Sequence, residues 1–598
     1  MNSPKYCIKT EGNLDTTDLK QLIGKEGAAF VDGKGALPLN IDFDGNNKKQ
    51  TLYLTLSADS ENYLTPVNIS KAVNKETLLQ ATVDFKQGRL KIKDTGFYIM
   101  PTQEQLEANP DKNIPPETVV SVEGTIAGDN INIIKVKMPE EIQGNLTAFK
   151  NSFFKAKSNL LIFGKLSEPR MRGLFRISEL SIPELYTKMD NLLMSFRGHT
   201  LNVSTENLVM NGSDLKIDTD VSLIPASVTN IHRLVFNSNN LNLDKLMVVS
   251  DNLMKKIPQS PQTSNAPAAD AHIPVAIRGG NIDIRHLKTG NIIARNTYSA
   301  ISMRDDVFYL HGLRTAVFDG HTRGNIAVNL INMGMDIDLK GEDINVDKAL
   351  IQAANLKDTL SGTAKFATHL KLMGATYEEQ MKTLNGNVEF EIKQGQLGPF
   401  GKLENFILAE NIRESQFFQT ALGGVIDSIA TIDTTHFDTL SGIIDLVDGV
   451  ADIKTIASKG NTLCLNVFGN FDILANTIDT KVRTRLASNV SDMLGPIAAV
   501  NPINLVKKTP GLNIAMAKAF TLFTEVVTQE EINAIPDFEG NAKDENATKF
   551  QIVIRGDVAK PLTLVKSFKW LSLQSDIDQA KMFVDKLPTP KDPNKTLK

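Results

Sequence analysis

The sequence predicts a mainly β protein, in which a long twisted antiparallel sheet is curled into an open apolar groove and a few amphipathic helices cover its ends and edges. Three observations support this prediction. Apolar and polar residues alternate in short segments along most of the chain. These segments tend to end at Gly, Asn or Asp, which are the residues of tight turns. Helical spacing of apolar residues is rarer.

The strands are predicted from the period of two. Successive side chains of a strand point to opposite faces of the sheet, so the alternation gives each strand one apolar and one polar face. In the clearest copy, Val388, Phe390 and Ile392 alternate with charged residues. In chain order, the same pattern occupies residues 39–44, 52–56, 215–223, 335–340, 388–393, 463–467 and 550–554.

Helices are predicted where apolar residues recur three and four positions apart. These segments are residues 182–195, 244–256, 345–356 and 402–418, with further amphipathic helices at 512–534 and 564–585. Helices of this kind plug or cover the apolar face of a sheet. We favour this role over anchoring at a membrane surface.

One segment interrupts the β pattern. Residues 257–274 contain four prolines among small polar residues and have no apolar period, which is typical of a linker or a long loop. The chain also exceeds the roughly 250 to 300 residues that one core supports. We therefore predict a β-rich groove segment at 1–256, a linker or loop at 257–274, a second groove region at 275–585 and a disordered tail at 586–598. The sequence leaves open whether the linker joins two sheets or lies within one.

Composition excludes several function classes. The 65 basic and 69 acidic residues leave a net charge of -4 without a long run of like charges, so nucleic acid is not an expected partner. Cys7 and Cys464 are too few for a disulfide framework or a metal knuckle. No His-x-x-x-His pair and no Gly-x-Ser-x-Gly motif is present. The expected protein is not an enzyme and needs no metal or cofactor.

A loose motif, Leu-[Ser/Asn]-Gly-x-x-x-[Phe/Leu], recurs at residues 360–366, 384–390 and 440–446. Its glycines are expected to form tight turns between strands. With the segment 315–350, these copies resemble the C-terminal region of the AsmA family. The resemblance is most specific over 315–486, whereas 1–256 is similar only in style.

The resemblance implies a large periplasmic protein, anchored in the inner membrane of a Gram-negative envelope. It implies β-grooves that conduct phospholipid between the inner and outer membranes and support outer-membrane biogenesis and integrity. Members usually begin with a transmembrane helix, which this sequence does not show. Whether the chain is a fragment that lacks this anchor stays open, as do the lipid and an outer-membrane partner.

An apolar groove has a physical basis for lipid conduction. Each buried methylene contributes about 0.8 kcal/mol, so an acyl chain gains on the order of 10 kcal/mol at every point along the groove and can slide. The same alternation would also fit the core of a closed sandwich. The candidate lining residues are Leu52, Leu54, Leu215, Ile217, Ile337, Leu339, Val388, Phe390, Ile392, Leu465, Val467, Ile552 and Ile554.

Two other classes of function share the same pattern. A scaffold for outer-membrane protein assembly would bind unfolded strands by pairing at a sheet edge. A structural or adhesive envelope protein would bind protein or glycan on its surface. Acyl lipid, most simply phospholipid, is the partner that we expect.

Overall fold

The structure is a computed structural model. It describes residues 4–108, 110, 113–224, 226–256, 272–397, 436–488, 524–538, 544, 547–558 and 565–578. Within these residues the protein is mainly β, as predicted, with one long sheet and few helices. Thirty-one strands belong to this sheet, and two short strands pair separately.

The chain divides into two compact units, residues 1–311 and 312–598. Described strands of the first unit are β1 Tyr6–Asp15, β2 Asp32–Lys34, β3 Ala36–Asn46, β4 Lys49–Ala58, β5 Tyr63–Thr65, β6 Val67–Ile69, β7 Thr77–Lys86, β8 Arg89–Ile99, β9 Glu117–Ala127, β10 Asn130–Lys137, β11 Ile142–Leu146, β12 Phe153–Lys165, β13 Glu168–Ile182, β14 Thr187–Met189, β15 Asn191–Gly198, β16 Thr200–Glu206, β17 Leu208–Met210, β18 Ser213–Ser222, β19 Thr229–Asn242, β20 Val275–Thr289 and β21 Ile292–Arg304. Strand β22, Val307–Val317, contains the boundary.

Described strands of the second unit are β23 Gly320–Asn329, β24 Met335–Asn345, β25 Leu360–Leu372, β26 Asn385–Leu397, β27 His436–Val447, β28 Val450–Lys459, β29 Leu463–Asp472, β30 Thr477–Leu486, β31 Thr524–Val526, β32 Thr548–Asp557 and β33 Val565–Ser572. The described helices of the chain are α1 Thr16–Ala28, α2 Gln103–Glu107, α3 Leu243–Met254, α4 Val346–Ala354, α5 Tyr377–Lys382 and α6 Gln529–Asn533, with 3-10 turns at Ser70–Ala72 and Pro183–Leu185.

The first unit has two different edges, because its long strands run up and down in antiparallel pairs. Tight turns join these strands at one end, which we call the turn edge: residues 46–49, 86–89, 127–130, 165–168 and 197–200. The connections at the other end contain α1, the 3-10 turn Ser70–Ala72, β11, β14, β17 and α3, and we call it the helix edge. Among the residues that the structure describes in this unit, helices and additional short strands therefore lie only at the helix edge.

The predicted linker connects two strands that pair with each other. Strands β19 and β20 flank it and pair in parallel, from Thr229 opposite Val275 to Asn242 opposite Lys288. A parallel pair requires a long crossover connection, which this segment and α3 supply. Residues 257–271 lie outside the described residues. The division into two compact units lies between residues 311 and 312, within β22.

Two of the predicted helices are confirmed. Helices α3 and α4 occupy the segments 244–256 and 345–356. Each begins after an asparagine, Asn242 or Asn345, whose side chain accepts a hydrogen bond from a backbone N–H of the first turn. Such a side chain caps the helix, because it accepts a hydrogen bond from a backbone N–H that has no partner within the helix.

The helix predicted at 182–195 is wrong, since this segment forms a 3-10 turn, β14 and the start of β15. Strand β15 is apolar on both faces: Leu192 and Met194 point to one side and Leu193 to the other. Apolar residues on both faces imitate helical spacing. The segment forms a strand and not a helix because it pairs with β13 and β16.

The C-terminal helix predictions are only partly covered by the described residues. Within 512–534, α6 is helical, whereas Thr524–Val526 forms β31. Within 564–585, Val565–Ser572 is a strand that pairs with β32, so the helix predicted there is wrong; residues 574–578 are helical. The helix at 402–418 and the tail at 586–598 lie outside the described residues.

The glycines of the repeated motif do not form the expected turns, because they lie inside strands. Gly386 lies in β26 with φ 145°, and a Cβ there would lie 2.0 Å from the carbonyl oxygen of His369 on β25. Gly442 lies in β27, where a Cβ would lie 2.5 Å from the ring of Phe390. These glycines let a neighbouring backbone or aromatic ring approach the strand closely.

Gly386→Ala is expected to lower the free energy of unfolding by about 1–3 kcal/mol, since it strains a backbone conformation reserved for glycine. The added methyl group also meets the His369 carbonyl oxygen. Urea unfolding followed by circular dichroism of the β-sheet, which reports both units, measures the change.

Gly12→Ala is the matched control. Gly12 also lies in a strand, has no positive φ, and has no other atom within 4 Å of an added Cβ. Equal stability of the two variants would contradict the role given to Gly386.

Candidate functional site

The apolar residues of the first strands lie opposite one another on one face. Leu52 of β4 lies between Phe43 of β3 and Val83 of β7. Leu54 lies in the same way between Ile41 and Ala81. Directly opposite residues share a face of the sheet. The predicted alternation is therefore in register from strand to strand.

The register continues across the first unit as a row of apolar residues. We call it the long row: Val122, Val136, Leu160, Gly173, Phe196, Leu201, Val221, Ile231, Ile277 and Met303. Each member lies directly opposite the next, and the row crosses β9 to β21. Candidate Ile217 lies on the same face, four positions before Val221 in β18.

The second unit repeats this arrangement. One of its rows is Phe366, Phe390, Gly442, Ile456, Val467, Val482 and Ile552. The parallel row contains Leu339, Thr368, Val388, Ile444, Ile453, Gly469, Thr480 and Ile554. Ile337, Ile392 and Leu465 belong to neighbouring rows of this face. The structure thus places all nine candidates of this unit on one face.

The exposure of the candidates separates them into two groups. Leu215, Ile392 and Ile552 are buried, with 7%, 5% and 2% of their surface exposed. The other ten are half-buried: Leu52, Leu54, Ile217, Ile337, Leu339, Val388, Phe390, Leu465, Val467 and Ile554. The core of a closed sandwich would bury most of them. Half-burial leaves part of each side chain available for contact with a ligand.

Two of the three buried candidates lie where helices cover the sheet. Leu246 of α3 packs against the cluster that contains Leu215. Near it at the helix edge, Val249 of α3 packs with Ile182. In the second unit, Val346 of α4 lies in the cluster of Ile392. The helices therefore close part of the apolar face, and the half-buried rows lie beyond them.

The sequence prediction missed several members of the long row. Phe196 and Leu201 follow the segment that imitates a helix, so their alternation was not recognised. Met171, Gly173 and Phe175 of β13 alternate with arginine and leucine, and this signal was present in the sequence. Reading arginine as a residue of the polar face would have found it.

The opposite face of the sheet carries ion pairs. Arg233 donates to Asp218 at 2.8 Å and to Asp220 at 2.9 Å, and this guanidinium holds the pKa of Asp220 below its usual value. Lys93 donates to Asp84 at 2.5 Å and lowers the pKa of that carboxyl group. These charged side chains pair with one another within the sheet, as expected of a polar face with a structural role.

One region of the polar face is covered by α6. The buried Arg483 donates from Nε to Gln551 at 2.9 Å and from Nη2 to Glu531 at 2.6 Å. Its guanidinium lies 4.9 Å from the ring centre of Phe468. A bond from the Thr528 N–H, and next the Arg483 guanidinium, lower the pKa of Glu531. Arg483 thereby joins the helix to the sheet.

The described residues contain no group of three His, Cys, Asp or Glu side chains that could hold a metal ion. Among the helices in the described part of the chain, none has the length and apolarity needed to cross a bilayer. No family model, curated protein or solved structure matches the chain.

Proposed function

We propose that the protein binds acyl lipid, most simply phospholipid, along the half-buried apolar face and conducts it between membranes without catalysing a reaction. The observation that carries this proposal is the register of the rows. In each unit, apolar side chains lie opposite one another over many strands and keep part of their surface exposed.

A continuous row supports movement as well as binding. Neighbouring strands lie about 4.8 Å apart, so a lipid that moves by one strand exchanges one apolar contact for a similar one. The gain of about 0.8 kcal/mol per buried methylene is then nearly the same at each position. Nearly uniform binding energy along a path permits sliding.

The proposal places the protein in the periplasm, attached to the inner membrane, with a role in outer-membrane biogenesis. The support for this placement is the sequence resemblance to the AsmA family over residues 315–486. The function would be that of a lipid-transfer protein of the cell envelope. Fractionation of cells that produce the protein tests the placement.

Photo-crosslinking along β4 is expected to capture lipid with a period of two. A photoreactive amino acid at Leu52 or Leu54 should label phospholipid, because these positions lie on the apolar face. The same amino acid at Tyr53 is the matched control, since Tyr53 is 45% exposed on the opposite face. Mass spectrometry of the adducts identifies the lipid.

Equal labelling at Tyr53 and Leu54, or labelling at neither position, would contradict the proposal. The second result would favour recognition of another strand by the sheet edge. Among the described strands, β1 pairs only with β3, so its other side is open to such pairing.

A further inference from the structure

The turn edge of the first unit brings cations from distant parts of the sequence into direct opposition. Lys49 of β4 lies opposite Lys86 of β7, and Lys86 lies opposite Arg89 of β8. All three are exposed, and Lys48 adds a fourth cation in the adjacent turn. Like charges in directly opposite positions destabilise a sheet. An external anion would remove this repulsion.

Acidic groups of the described residues do not neutralise these four cations by an ion pair. Asp84 of β7 accepts hydrogen bonds from Lys93 at 2.5 Å and Thr51 at 2.9 Å. Lys49 exerts only a weaker attraction on Asp84. The positive charge therefore faces solvent.

The next turns extend the positive charge. Arg172 of β13 lies opposite Arg197 of β15, again as a pair of like charges. The turn edge contains six cations, Lys48, Lys49, Lys86, Arg89, Lys165 and Arg197, and two anions, Asp129 and Glu168. Its net charge is thus +4, whereas the whole chain has -4.

Apolar side chains accompany these cations. Leu166, in the turn between β12 and β13, is 50% exposed. Phe85 is 38% exposed; it precedes Lys86 and lies opposite Leu90 on the apolar face. Cations beside exposed apolar side chains fit the interface of an anionic bilayer, where headgroup phosphates meet acyl chains.

We infer that the turn edge of the first unit docks on the surface of an anionic phospholipid bilayer. This inference rests on the proposed lipid function and assigns the edge at which lipid passes between the bilayer and the apolar face. The helix edge is covered by α3 and the short strands, whereas at the turn edge the outermost apolar row, which contains Phe85, Leu90 and Ile126, lies directly beside the cations.

Vesicle flotation tests the inference. We expect the chain to float with vesicles of mixed phosphatidylglycerol and phosphatidylcholine, and not with phosphatidylcholine alone. The variant K48Q/K49Q/K86Q/R89Q should lose binding by about 600-fold, because each of the four Lys or Arg residues near an anionic surface contributes about fivefold. High salt should weaken wild-type binding through screening.

The control variant is K150Q/K188Q/K245Q/K255Q, which removes the same charge from exposed lysines near the helix edge. Retained binding by this control, with loss in the turn-edge variant, supports the inference. Equal binding by both variants, or equal loss in both, overturns it.

Lipid photo-crosslinking at Leu54 in detergent micelles separates this result from the proposed function, since it needs no docking on a bilayer. If Leu54 is labelled in micelles but flotation does not depend on the turn-edge charges, only the docking surface is overturned. Charge-dependent flotation without labelling at Leu54 would overturn the function instead.

Discussion

Phe196→Asp is expected to slow the movement of lipid along the first unit by at least about tenfold while the unit stays folded. Phe196 is half-buried in the middle of the long row, between Gly173 and Leu201. An acyl chain that passes a carboxylate must desolvate it, which costs several kcal/mol. Each 1.4 kcal/mol added to this barrier reduces the rate tenfold. Transfer of a fluorescent phospholipid between donor and acceptor vesicles measures the effect.

Leu174→Asp is the matched control for this charge. Leu174 lies on β13, next to Gly173, but it is 49% exposed on the opposite face, between Asn159 and Ser195. This variant should transfer lipid at the wild-type rate. A folded Phe196→Asp variant with unchanged transfer would contradict the proposed path. Complete unfolding of that variant, with Leu174→Asp intact, would indicate a closed core.

Arg483→Ala is expected to destabilise the second unit by about 1–3 kcal/mol, which is typical when a buried hydrogen-bond acceptor loses its donor. Arg483 is 8% exposed, and Gln551, which accepts its Nε–H, is 2% exposed. The substitution leaves the amide oxygen of Gln551 without this donor and removes the attachment of Glu531 on α6. Trp570 contacts Phe550 in the adjacent strands, so its fluorescence reports unfolding of this region.

Arg555→Ala provides the comparison for Arg483. Arg555 pairs with Asp479 at 2.9 Å, but its side chain is 63% exposed. Exposed pairs contribute about 0–1 kcal/mol, so this variant should unfold close to the wild-type midpoint. If Arg483→Ala shifted the midpoint no more than Arg555→Ala, the buried network would have no special role in stability.

The strands could be predicted from the sequence because alternation is a local property. Val388, Phe390 and Ile392 need no distant partner to reveal that they share a face. Local spacing failed where both faces are apolar, as at Leu192 and Leu193, because only pairing with β13 and β16 then distinguishes a strand from a helix.

The accessibility of the face could not be predicted. Leu215 and Ile217 have the same local pattern, yet Leu215 is buried because Leu241 and Ile284, distant in sequence, pack against it. The cluster of positive charges at the turn edge could not be predicted from the sequence for a related reason. Lys49 and Arg89 are far apart in the chain, and the register of β4, β7 and β8 brings them together.

The up-and-down order of the strands also determines how the first unit assembles. Most neighbouring long strands are close in sequence, so their pairing closes short loops and can propagate from one hairpin to the next, much as in repeat proteins. The parallel pair of β19 and β20 is different, because Asn242 and Val275 enclose a long connection. Closing that loop carries a larger entropic cost before its contacts form. Folding of this unit thus consists mainly of local steps, interrupted by one long-range step near its C-terminal end.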